Sequence, residues 1–142
     1  MKKTTLIVLS FLSLLIVSCQ KDTDLITEDQ SLTATDFIGT WKRDSVLLNE
    51  VSSSGNRTRV ESLINNGTYL FNSDKSSGLL SVNGDDYAIT WSGATGSITI
   101  SEPDWLSQKY STSLISGTKV KLVGTATIDG VLNERILYLS KK

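Results

Sequence analysis

The chain has 142 residues, 14 basic and 15 acidic, for a net charge of −1, with no histidine and a single cysteine, Cys19. Without histidine, Ser-His-Asp and Cys-His catalysis and all histidine-based metal sites are excluded. The balanced charge, with no cluster of Lys and Arg, argues against nucleic acid as a partner.

Met1-Lys2-Lys3 is a short basic start, and an apolar run follows from Leu6 to Val17, broken only by Ser10 and Ser13. At about 12 residues it matches the apolar region of a secretory leader and falls short of the ~20 needed to span a bilayer. The run ends at Ile16-Val17-Ser18-Cys19, which resembles the bacterial lipobox. The resemblance implies cleavage before Cys19 and acylation of its thiol, so that the membrane is a partner through lipidated Cys19. One acyl chain holds weakly at about 0.8 kcal/mol per buried CH₂, whereas the family's two or three chains give durable anchoring. The expected segments are a signal peptide over 1–18, a lipidated cysteine and tether over 19–35, and one domain over 36–142. Gln20 in place of an Asp after the cysteine favours the outer membrane by resemblance to sorting rules. Whether the protein faces the periplasm or the cell surface stays open. Gln20–Asp24 resembles acidic export tags of surface lipoproteins, and it also reads as a plain charged linker.

With its leader removed the chain carries a net charge of −3. With Cys19 acylated there is no disulfide, so the domain depends on its core. At 39% hydrophobic overall, about 107 residues can supply one. From Gln20 to Thr35 there is no period, and polar residues dominate. The segment reads as a flexible spacer with an r.m.s. reach of roughly 20–24 Å. Its last residues, with Ala34–Ile38, have the alternative of forming a short helix or capping the domain.

From Asp36 onward turn signals recur at short intervals: Ser52–Asn56, Asn65-Asn66-Gly67, Asn72–Gly78, Asn83-Gly84, Gly93–Gly96, Ser116-Gly117-Thr118 and Asp129-Gly130. Asn-Gly and Asp-Gly tolerate positive φ and suit tight hairpins. The intervening runs, rich in β-branched and aromatic residues, predict strands at 39–49, 57–64, 68–71, 78–82, 87–92, 97–101, 110–115, 119–128 and 132–140. Tyr87, Ile89 and Trp91 alternate with Ala88, Thr90 and Ser92, as an antiparallel sheet with one packed face requires. One short helix is possible near Ser101–Leu106, with Ser101 as cap and Pro103 in the first turn. The fold class is therefore all-β: an antiparallel up-and-down meander of about eight strands. Closing it into a barrel removes its edges, and an open sandwich is the runner-up.

Three stretches add a family resemblance. Ile38-Gly39-Thr40-Trp41-Lys42 resembles the Gly-X-Trp entry of the lipocalin and calycin barrels, where the Trp closes one end. Gly67–Asp74 resembles the "G-T-Y-x-F-x-x-D-G" hairpin of small lipocalin-like lipoproteins, with Lys75 in place of the last Gly. Tyr87–Trp91 resembles their "Y-x-x-x-W" strand. The resemblance implies a lipocalin-like barrel with a binding role for a small apolar molecule, a glycan or a partner protein. The chain is shorter than a full lipocalin and lacks a C-terminal helix.

Trp41, Tyr69, Phe71, Tyr87, Trp91 and Tyr138 are the large side chains on the predicted strands. They either line a pocket or fill a barrel whose bore is only wide enough for side chains. Trp105 lies in a loop or short helix and is the candidate for an exposed aromatic. The ligand-binding candidates are thus Trp41, Tyr69, Tyr87, Trp91 and Trp105. The paired acids Asp85/Asp86 and Glu102/Asp104 fit solvated turns better than a glycosidase pair. Asp74, Asp85, Asp86 and Asp104 have no calcium-loop spacing, so no catalytic residue, metal or cofactor is assigned. Asp44-Ser45-Val46 resembles a short bacterial O-glycosylation pattern. The alternative function is a structural or interaction protein of the outer membrane with a filled barrel and no small ligand.

Overall fold

The computed structural model describes residues 31–103 and 107–142. The leader, Cys19 and most of the tether lie outside the described residues, as does Trp105. A one-turn helix, α1 (Ala34–Phe37), precedes nine strands. These are β1 (Gly39–Val51), β2 (Arg57–Ile64), β3 (Thr68–Phe71), β4 (Ser77–Val82), β5 (Asp85–Ala94), β6 (Ser97–Ser101), β7 (Gln108–Ser116), β8 (Lys119–Ile128) and β9 (Val131–Lys141). All nine pair antiparallel, and β9 returns to β1, so β1 and β3–β9 form a closed eight-strand barrel.

The turns explain the meander. Asn83 and Gly84 have φ of 55° and 94°, and Asp129 and Gly130 have 50° and 81°. Positive φ at both central residues gives a two-residue turn whose twist matches its strands. Asn-Gly joins β4 to β5 in this way, and Asp-Gly joins β8 to β9.

β2 is the extra strand. The start of β1, Gly39–Lys42, pairs with β3, while Ser45–Val51 on the same edge pairs with β2. β7 pairs with β8 only as far as Gly124, yet β8 continues beside β9 to Ile128. β2 and the overhanging parts of β1, β9 and β8 thus make a lip beyond one end of the barrel. All of β2 is exposed.

The end away from the lip is plugged. Phe37 of α1 is fully buried and meets Trp41 at 5.8 Å and Phe71 at 6.2 Å between ring centroids. Phe71 in turn contacts Trp91 at 5.1 Å. The Trp41 indole donates to the Phe37 carbonyl at 2.7 Å, and Gly96 N donates to the Leu32 carbonyl at 2.8 Å. Residues Leu32–Phe37 therefore cap the domain, the alternative the sequence left open for the end of the spacer. Thr33 and Asp36 fix the turn through a capping box. Above this plug, Ile98, Ile100, Val120, Leu122, Leu137 and Leu139 fill the bore. At Ser101–Pro103 there is no helix.

Candidate functional site

Polar side chains occupy the lip-side half of the interior. Their strand phase accounts for it. Trp41 and Arg43 are both inward along β1, before an irregularity between Arg43 and Ser45 shifts the inward series to Val46. Along β9, Arg135, Leu137 and Leu139 alternate inward. Tyr69, Gln108 and Tyr110 enter from β3 and β7, and all are buried. Glu102 comes from the β6–β7 connection and closes the set.

The Arg135 guanidinium donates to Glu102 Oε1 at 3.2 Å and Oε2 at 3.0 Å, and also to the Tyr110 hydroxyl at 3.0 Å. The Tyr69 hydroxyl donates to the same Glu102 carboxylate. Both side chains of the ion pair are more than nine-tenths buried. Such a pair resists solvent, and its loss would leave a desolvated charge. Burial, then the Glu102 carboxylate, holds the Tyr69 phenol far above its usual range. Burial likewise pushes Tyr110 up to about 12, against the opposing pull of Arg135. Both phenols are neutral at physiological pH.

Arg43 differs. It is 4% exposed, with its guanidinium carbon 5.4 Å from the Tyr69 ring centroid. Its Nε is buried without a hydrogen-bond partner among the described residues. A guanidinium over an aromatic face is attracted by the ring, but that contact leaves the N–H unused.

Of the sequence candidates, Trp41, Tyr69 and Trp91 are in the packed interior. Trp91 donates from its indole to the Ser77 carbonyl at 2.9 Å. Tyr87 shares the inward phase of Ile89 and Trp91 but lies nearer the lip end, opposite Leu80, and is 37% exposed. Trp105 and Cys19 fall outside the described residues. Sequence reasoning passed over Arg43, Tyr110 and Arg135, and it read Glu102 as a solvated turn acid, whereas its side chain is buried in the pair with Arg135. The available signal was a charged residue two positions from a core residue on a strand: Arg43 after Trp41, and Arg135 before Leu137.

A second polar network lies on the outer face of the lip. Arg59, Asn49 and Glu134 form one cross-strand row. Glu134 accepts from Arg57 at 2.7 and 3.1 Å and from Asn49 at 3.1 Å, and Asn49 accepts from Arg59 at 2.6 Å. The hydrogen bond from Arg57, opposed in part by burial, lowers the pKa of Glu134. These groups border a surface hollow of about 400 Å³ with Lys121. The network is internally satisfied and ties β2 to β1 and β9. Among the described residues, no acidic cluster is arranged to hold a metal ion.

No protein-family model matches the chain, and no curated protein matches it. Among solved structures, a redesigned β-barrel aligns at 18% identity with a TM-score of 0.39, covering 81% of this chain and 97% of that one. The closed antiparallel barrel described above rests on this chain's own strand pairing.

Proposed function

We propose that this is a cell-envelope lipoprotein, moored to the outer membrane through acylated Cys19, whose barrel is a small binding module. The leader, the lipobox-like Ile16–Cys19 and the tether support the mooring. The observation that carries the binding role is the division of the barrel interior. The helix-capped half is lined by apolar and aromatic side chains, whereas the lip-side half holds buried Arg43, Tyr69, Glu102, Tyr110 and Arg135. A barrel that only needed filling would fill both halves with apolar side chains, because buried charge costs free energy that packing would not. Binding is assigned to the lip end and not to a pocket among Trp41, Phe71 and Trp91, whose rings are joined in series through Phe37. Native mass spectrometry of the full chain recovered from outer membranes tests this: the module should carry a non-covalent small molecule. A chain that is always empty, and that binds no compound in a ligand screen, would refute it.

The second reading, an interaction protein, is favoured by β2. Its outer edge is unpaired in the sheet order, and it exposes Val60, Leu63 and Ile64. Free edges of this kind invite strand addition. A photo-cross-linker at Val60 that captures one envelope protein in cells would favour that reading over the first.

A further inference from the structure

Among the described residues, the buried charges of the lip-side interior do not balance. Two guanidinium groups, Arg43 and Arg135, face one carboxylate, Glu102. Glu102 is committed to Arg135 through both oxygens and accepts from Tyr69 besides. The two phenols are uncharged and donate or accept only as neutral groups. No ion pair to Arg43 occurs among the described residues, and its Nε–H is buried and unused. A desolvated guanidinium in that condition is costly. Its cheapest remedy is an anion.

We propose that Arg43 is the binding point for the carboxylate of an organic acid that enters the barrel from the lip end. The inference rests on the binding-module reading and names its ligand class. The excess of one positive charge suits a monoanion; a phosphate dianion would set a second negative charge beside Glu102. The guanidinium offers its Nε–H and a neighbouring Nη–H as a planar fork matched to a carboxylate's two oxygens. Tyr69 lies beneath Arg43, and the row Tyr69–Leu80–Tyr87 runs from it across β3, β4 and β5. Partly exposed Tyr87 marks the entry side, and half-buried Val82, which packs against the core, adds apolar surface for the body of the acid. The bore beyond Tyr69 is blocked by the stacked Phe71 ring, 5.5 Å away. The carboxylate therefore stops at Arg43, and the rest of the molecule stays toward the lip.

The test is isothermal titration of the full chain in lipid nanodiscs, with empty nanodiscs as blank. The probes are acetate, decanoate, decanol and decyl phosphate. Decanoate should bind at least tenfold more tightly than decanol. That preference should vanish in Arg43→Gln and in Arg43→Met and survive in part in Arg43→Lys. Because Arg43 has no ion-pair partner among the described residues, both neutral variants should melt no lower than wild type, which shows them folded. Acetate binding as tightly as decanoate would support a free small acid as the natural source, and a strong chain-length dependence would support a lipid-derived one. Equal affinity for decanol and decanoate, or unchanged decanoate binding in a folded Arg43→Gln, overturns the carboxylate assignment and leaves the binding module standing. Tighter binding of decyl phosphate overturns the monoanion. No binding of any probe overturns the inference alone; the module falls only if the membrane-purified chain is also empty.

Discussion

Replacing Glu102 by Gln tests the interior ion pair most severely. The side chain keeps its size, so no cavity opens. Its charge is lost, however, and Arg135, at 6% exposure, loses the carboxylate with which it is paired. The neutral amide oxygen can still accept from Tyr69, but it cannot reproduce the two-oxygen contact with Arg135 at 3.0 and 3.2 Å. Breaking one side of a buried pair costs about 3–5 kcal/mol, most of it the uncompensated charge. For a domain near 110 residues, each kcal/mol lowers Tm by about 4 °C, so the expected loss is on the order of 12–20 °C. Thermal unfolding of the full chain in detergent, followed by near-ultraviolet circular dichroism, reads this directly. The second replacement, Arg135→Met, should restore more than half of the loss, because the two residues act as one unit. A Glu102→Gln protein that melts within about 1 °C of wild type would refute the assignment of a buried, charged pair, and so would strictly additive losses.

Three further outcomes are expected. A Cβ at Gly93 would lie 2.6 Å from Ala34 Cα, so Gly93→Ala should displace α1 at a cost of about 1–3 kcal/mol; faster hydrogen exchange at Gly96 N–H, which donates to Leu32, would show it, and an unchanged rate would count against the plug. Asp74 accepts from the Ser77 hydroxyl at 2.5 Å and from the Ser77 and Ser76 amides at 2.9 Å, which lower its pKa to about 2. A depressed carboxylate stabilises the fold above its unfolded value near 3.8 and loses that contribution as pH falls toward 2, so a carbon-13 carboxyl titration showing a midpoint near 4 would contradict the turn. Palmitate should label the wild type and leave Cys19→Ala unlabelled; equal labelling would remove the anchor.

Much of the architecture was legible because turn chemistry and strand period agree. Asn83-Gly84 and Asp129-Gly130 mark their hairpins, and all nine predicted strands are present, with ends displaced by at most two residues. The position of β2 was not legible. Arg57–Ile64 shows no alternation, since both of its faces are exposed and neither is selected by a core. The interior polar set was hidden for the opposite reason. Arg43 and Arg135 stand in phase with Trp41, Leu137 and Leu139, but a charged residue at such a position normally points to a solvent face. The shift of phase after Arg43 has no marker in the residue types around it, and only the pairing with β9 reveals it. Period alone does not separate an aromatic that lines a pocket from one that packs. Tyr69 and Trp91 are inward and enclosed, while Tyr87, equally inward in phase, is exposed because it lies nearer the barrel end.

The most direct measurement is the nitrogen-15 spectrum of the arginine side chains during a decanoate titration. The chain has four arginines, and two of them, Arg57 and Arg59, sit on the outer lip network. The Arg43 Nε–H resonance, assigned by its absence in Arg43→Lys, should move downfield and saturate with one equivalent, while Arg57 and Arg59 stay in place. Movement of Arg57 and Arg59 with Arg43 unchanged would place any acid on the outer face and contradict a binding barrel.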